Sequence, residues 1–263
     1  MHRHLTIAGL ALILAAQATA NEIASGDTLR AVYLSTNPAQ AVRDAVTGEV
    51  RGASASLARE LAARNRLGLE LVPIQGPPDV IESVRTGRAD IGFVAYEATR
   101  VGTVQFSQTY MLVRQSFLVP GGSPIARVAE IDRIGQKIGG LRNDSITLCM
   151  KRTFRQAAVI ELQSVADVAQ KLAGGEIDAF GANRQTLTNL SRTAERSQIL
   201  PDDFFHVPQT IIVPMEKPEA LAAVNAFIDE VRASGFLQDA IDRGGAIGVV
   251  MAPAGNQRYG CPG

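Results

Sequence analysis

Residues 81–95 read IESVRTGRADIGFVA, and residues 171–182 read KLAGGEIDAFGA. In both stretches a helical pattern stops at a glycine (Gly87, Gly175), an aspartate follows three positions later (Asp90, Asp178), and an apolar run comes next. Glycine ends helices because it takes the left-handed conformation at little cost. The run IGFVA at 91–95 has no polar alternation, which predicts a strand buried on both faces in a parallel sheet. One helix-to-strand turn used twice predicts two similar α/β lobes rather than one continuous sheet.

Working outward, residues 29–34 (LRAVYL) read as a strand. A helix over 54–67 places Leu57, Leu61 and Leu67 near helical spacing; Gly68 stops it, and 69–74 resumes as a strand. Pro77-Pro78-Asp79 opens a helix to about Thr86. The rhythm restarts with a short helix at 128–132, strand 137–141, helix 145–157, strand 159–162, helix 164–172 and strand 177–182. Alternation of this kind predicts an α/β fold with right-handed crossovers. Two β-rich runs, 110–120 and 206–214, lie between these units. A helix over 218–233 buries Leu221, Val224, Ile228 and Val231 and stops at Gly235. If both β-rich runs connect the lobes, they form a two-strand hinge, and the cleft beside it is the ligand site. The expected boundaries are residues 26–111 plus 214–250 for lobe 1, 112–213 for lobe 2, and a tail at 251–263.

Composition narrows the function. The chain has 263 residues with 46% hydrophobic and 20% charged side chains, an ordinary globular balance. Its 26 basic and 26 acidic residues leave no basic excess for nucleic acid. Three histidines and two cysteines exclude zinc fingers and iron–sulfur clusters, and no cofactor or metal is expected. Residues 1–20 (MHRHLTIAGLALILAAQATA) have a cationic start, an apolar run at 5–16 and an Ala-Thr-Ala end. That run is shorter than the roughly 20 residues a bilayer requires, so it reads as a cleaved secretory signal, with the mature chain in the periplasm. His206 is then the single remaining histidine, set in a β-like aromatic stretch, and reads as structural. Export permits a bridge between Cys149 and Cys261; the alternative is a buried Cys149 and a free tail thiol.

From Leu29 to Pro253 the chain resembles the bacterial extracellular solute-binding proteins of family 3. The resemblance is carried, in order, by TLRAVYL, GEVRGASASLARELA, IESVRTGRADIGFVA, RVGTVQFSQTY, GGSPIARVAEID, KIGGLRNDS, KLAGGEIDAFGANR and ALAAVNAFIDEVRASGFLQDAI. It implies the type II periplasmic-binding-protein fold: two α/β lobes that close on a small polar solute. It further implies delivery to an ABC permease in the inner membrane by a monomer.

Site residues are carried over one at a time. Arg100, six residues before Phe106, matches the arginine that clamps a ligand carboxylate, a task suited to its planar fork of donors. Asn143-Asp144-Ser145 matches the helix mouth whose amides meet that carboxylate. Asp144 departs from the pattern: it either caps the helix or favours a cationic ligand group. Asn183 stands where amino-acid binders carry the aspartate that holds the α-ammonium, and it brings no charge. The loop 94–100 is shortened, with Tyr96 and Glu97 in place of hydroxyl-bearing residues. Asn37, before Pro38, falls where the first loop lines the cleft. An α-ammonium would then go to Glu97 or Asp144, and a carboxylate or other small polar solute competes as ligand. Two other readings remain. One is a cleft enzyme like the cyclohexadienyl dehydratases with Glu97 as its acid. The other is a soluble partner of a membrane receptor, because sensors on this fold add a transmembrane helix and a cytoplasmic domain not read here.

Overall fold

In the computed structural model, residues 22–194, 196–255 and 260–261 are described. The expected signal sequence at 1–20 lies outside them. Among the described residues no helix is long and apolar enough to cross a membrane.

The first lobe begins with β1 (Thr28–Leu34), a small hairpin β2 (Val42–Arg43) and β3 (Val50–Arg51), helix α1 (Ala53–Arg64), β4 (Gly68–Ile74), α2 (Pro77–Arg85) and β5 (Ile91–Ala95). Strand β1 lies between β4 and β5, parallel to both. On one face of this sheet α1 buries Leu57, Ala58 and Leu61 against Leu29, Ala31 and Phe93; on the other α2 buries Val80 and Val84 against Val32 and Val94. Each fully buried leucine or valine contributes about 1.5–3 kcal/mol.

After β6 (Gln105–Phe106), β7 (Met111–Pro120) leads into the second lobe: β8 (Lys137–Leu141), α3 (Ser145–Thr153), β9 (Ala158–Leu162), α4 (Val168–Ala173), β10 (Ala179–Asn183), α5 (Arg184–Ser191) and β11 (Ser197–Ile199). Here β8 lies between β9 and β10, again parallel to both. The chain returns through β12 (Phe205–Val213) to α6 (Pro218–Ala233), α7 (Phe236–Gly244) and β13 (Val249–Met251). Helix α6 packs Val224, Phe227, Ile228 and Val231 into the first-lobe core.

The repeated turn is present in both lobes. Gly87 and Gly175 adopt φ of 70° and 69°. Each aspartate that follows makes the same pair of bonds with the neighbouring strand. Asp90 N donates to Arg30 O (2.8 Å), and the Asp90 carboxylate accepts from Arg30 N (2.9 Å). Asp178 N donates to Lys137 O (2.8 Å), and its carboxylate accepts from Lys137 N (2.8 Å). The G-x-x-D spacing therefore encodes a strand-edge clasp that anchors the central strand of each lobe.

The expectation of two separate sheets is corrected. Hydrogen bonds run without a break along β4-β1-β5-β12-β7-β10-β8-β9. The hinge strands β7 and β12 pair antiparallel with each other, β12 also with β5, and β7 also with β10. Four helix ends differ as well: the helix expected over 54–67 ends at Arg64, and Gly68 already belongs to β4. Residues 128–130 form a single 3-10 turn, and the helix expected over 164–172 starts at Val168. Helix α3 stops at Thr153 because Phe154 turns extended and joins an aromatic cluster with Phe117 and Phe204.

Candidate ligand cleft

The cleft lies at the carboxyl ends of the parallel strands, where ligands bind in open α/β sheets. It is enclosed to about 40 Å³, and its lining includes Asn37, Arg100, Gln115, Asp144, Ser145, Asn183 and Gln209. At about 10–15 Å³ per water that is room for roughly three waters. Groups from both lobes meet around it. Arg100 donates from Nη2 to Asn143 O (2.8 Å), and Asn183 Nδ2 donates to Asn37 Oδ1 (3.3 Å). Farther out, Arg152 pairs with Glu97 (2.7 Å), and Ile247 N donates to Gln185 Oε1 (2.7 Å). The lobes are therefore closed on each other.

Arg100 is 8% exposed and faces this interlobe space, carried there by a single 3-10 turn over Ala98–Arg100. Its Nη1 donates to Ala95 O (3.0 Å). Burial lowers the guanidinium pKa, while the charges of Glu97 and Asp144 oppose that shift. Two of five N–H groups are engaged with main-chain carbonyls, leaving three for a ligand. Asn143, the carbonyl partner across the cleft, has φ of 63°, a left-handed value that asparagine tolerates better than most residues.

Asp144 occupies the N-cap position of α3, yet its side chain makes no capping hydrogen bond, which removes the helix-capping reading. Among the described residues its carboxylate has no hydrogen-bond or ion-pair partner. Burial raises its pKa from 3.8 to about 6, with Arg100 pulling the other way. Asn183 does cap: its Oδ1 accepts from Thr186 N (2.9 Å) at the start of α5. Asn37 forms an Asx turn to Ala39 N (3.2 Å), so both asparagines hold loop geometry as well as facing the cleft.

Tyr96 and Glu97 do not line the cleft, which corrects the expectation drawn for them from the resemblance. They border a neighbouring depression with Arg152, Phe205 and Cys261. The Glu97 side chain is 6% exposed and spent on Arg152, and Tyr96 packs edge-on against Phe106 (5.3 Å between centroids). Cys149 in α3 is bridged to Cys261, with Cα atoms 5.4 Å apart, so the tail is fastened to the second lobe. Upstream, the same tail is pinned to the first lobe by Ala252 N donating to Tyr110 O (3.1 Å).

Several cleft residues were missed, among them Thr36, Thr186 and two buried glutamines. Gln115 and Gln209 sit in the hinge strands and are 5% and 1% exposed. Gln209 Oε1 accepts from Gln40 Nε2 (2.7 Å), and Gln40 Oε1 accepts from Leu34 N (3.4 Å). A glutamine inside an otherwise apolar run (LVRQSFLV, VPQTIIV) was the available signal, because a buried amide requires partners.

Behind the hinge, Asp203 gathers Arg114 of β7 (2.6 Å), Arg184 of α5 (2.6 Å) and His206 of β12 (3.2 Å). Arg184 also donates to Pro201 O and Asp202 O, so it is a structural tie rather than a solvated charge. Burial alone would raise the Asp203 carboxyl, but the hydrogen bonds from these three side chains outweigh it and hold the pKa below 3.8. A lowered folded-state pKa gives stability that is present above the unfolded value and lost as pH falls through the folded one. Asp203→Asn is expected to lower the melting temperature at pH 7 and to lose most of that difference in strong acid. A constant difference across the acid range would contradict the assignment.

The profile of the bacterial extracellular solute-binding proteins of family 3 matches residues 29–243. Among curated proteins, the virulence sensor protein BvgS of Bordetella bronchiseptica is 25% identical over 130 residues, 49% of this chain and 10% of that protein. The chain thus matches about a tenth of the length of that relative. Solved structures share the fold. An amino acid ABC transporter substrate-binding protein from Streptococcus pneumoniae bound to L-arginine has a TM-score of 0.70 at 20% identity, covering 85% of this chain and 98% of that one. A putative ABC transporter binding component from Wolinella succinogenes complexed with lysine gives 0.71 at 22%, covering 82% and 95%. The ancestral amino-acid-binding protein AncCDT-1, a precursor of cyclohexadienyl dehydratase, gives 0.70 at 21%, covering 85% and 97%.

Proposed function

The chain belongs to the bacterial extracellular solute-binding proteins of family 3, and on that premise we propose that it captures a small polar solute by lobe closure. The solute bears a carboxylate and an amine, and it passes to an ABC importer in the inner membrane after export to the periplasm. The lobes divide at residues 26–111 plus 214–250 and 112–213, and the protein works as a monomer without a cofactor. The observation that carries this reading is a buried Arg100 together with an Asp144 whose carboxylate has no partner among the described residues, both in one closed interlobe cavity. Arg100 takes the carboxylate. Asp144 takes the cationic group, because Asn183 is neutral and committed to capping while Glu97 is paired with Arg152. That same pairing argues against Glu97 as a catalytic acid and favours binding over catalysis. The match to part of a sensor protein supports a second reader of the same event, in which the closed form is sensed by a membrane receptor.

Thermal-shift screening of amino acids, amines and organic acids tests the proposal. Stabilisation by solutes carrying both charges is expected, and no stabilisation across such a set would contradict it. Asp144→Asn separates the roles. A carboxyl whose folded pKa is raised to about 6 costs stability fully above that value, and the cost vanishes below 3.8. The variant is therefore expected to melt higher than the parent at pH 7.5 and to bind the solute at least tenfold more weakly. In the parent, affinity falls as pH drops below about 6. An unchanged affinity in Asp144→Asn would remove Asp144 from the site.

A further inference from the structure

The ion pair between Glu97 and Arg152 crosses from one lobe to the other. Glu97 lies on the first-lobe loop between β5 and β6, and Arg152 lies in the last turn of α3 in the second lobe. Their side chains meet at 2.7 Å. With the lobes divided as proposed above, every other ion pair among the described residues stays within one lobe. Lys151, the neighbour of Arg152, pairs with Glu161 of its own lobe (3.3 Å).

The two partners are not alike in exposure. The Arg152 side chain is 41% exposed and the Glu97 side chain 6%. Ser145 and Arg152 of α3 and Cys261 of the bridged tail join Glu97 in walling the depression it borders. Closing the lobes therefore takes the Glu97 carboxylate out of water, while Arg152 stays partly hydrated. A carboxylate so enclosed is tolerated only with a cation against it, and removing that cation from a buried pair is far more damaging than removing both charges. Glu97 also begins the turn that carries the clamp: its carbonyl accepts from Arg100 N (2.9 Å). Its charge reaches the Arg100 guanidinium as well. Without Arg152, the Glu97 carboxylate is left to the field of Arg100, the group assigned to the solute.

We propose that Arg152 is a positioning residue for capture: by covering the Glu97 carboxylate it lets the lobes close and keeps Arg100 free for a solute. Arg152 does not line the cleft, so it acts through Glu97 rather than on the solute. The inference rests on the reading that the lobes open and close, and it holds whichever solute is captured. The asymmetry in burial sets its signature. Arg152 matters because Glu97 is there, and the need for Arg152 disappears once Glu97 loses its charge.

The test is small-angle X-ray scattering of the protein with no solute added, comparing the parent, Arg152→Gln, Glu97→Gln and the double variant in one buffer. Arg152→Gln strands the carboxylate and should shift the lobes apart, seen as a larger radius of gyration than the parent's. Glu97→Gln alone should stay near the parental radius. The double variant should return toward it, although it carries one more substitution than Arg152→Gln. A merely structural arginine predicts the reverse, a double variant at least as expanded as the single one. A single cooperative melting transition in each variant separates lobe opening from loss of fold. Arg152→Gln scattering like the parent, or a double variant no more compact than Arg152→Gln, would each overturn the proposal. The thermal-shift screen reads solute capture independently of this series, so a failure of either is told from a failure of the other.

Discussion

Arg100→Ala is expected to weaken solute binding at least a hundredfold. The guanidinium has three N–H groups not engaged with Ala95 and Asn143, and a bidentate grip on a carboxylate uses two of them. Two charge-assisted bonds at about 1.5 kcal/mol or more each amount to roughly 3 kcal/mol, and about 1.4 kcal/mol is tenfold in Kd. The variant also releases two main-chain carbonyls, one in each lobe, so a modest fall in melting temperature accompanies the loss. Arg100→Lys isolates the geometric part, because it keeps the charge and loses the fork. It should recover only a fraction of the affinity. Isothermal titration at pH 7.5 reads both variants, and parental affinity in Arg100→Ala would remove the arginine from the ligand site.

The second large effect comes from the tail. The Cys149–Cys261 bridge closes a loop across a sequence separation of 112. In the chain-entropy account, a loop on the order of a hundred residues restricts the unfolded chain by about 4–5 kcal/mol. For a chain of this size each kcal/mol moves the melting temperature by about 2–4 °C. The double variant Cys149→Ser with Cys261→Ser should therefore melt on the order of 10 °C lower than the oxidised parent. Parent protein heated with reductant should match it. Two alkylatable thiols in unreduced, denatured protein would contradict the bridge.

The parts of the fold legible in the sequence were those written in local pattern. G-x-x-D announced both strand-edge clasps because a left-handed glycine and a strand-capping aspartate are set by adjacent residues. The apolar runs at 110–120 and 206–214 announced the hinge for the same reason. The β2–β3 hairpin stayed hidden because its strands have only two residues each and its tip is held by the Asp44 side chain bonding Val46 N and Thr47 N. Asp203 as a hub was equally illegible: its partners at 114, 184 and 206 converge only once β7, β12 and α5 are in place. Glu97 illustrates the limit most clearly. The resemblance implied a carboxylate facing the ligand, and the fold instead pairs it with Arg152 from the other lobe. Asp144 stood out as a departure, but its lack of a capping bond depends on a side-chain orientation that spacing does not determine.

A crystal structure of the protein grown with whichever solute stabilises it most tests the central claim directly. The account predicts that the anionic group of that solute lies within hydrogen-bond distance of Arg100 and its cationic group against the Asp144 carboxylate. A solute bound elsewhere, with Arg100 still donating only to Ala95 and Asn143, would contradict it.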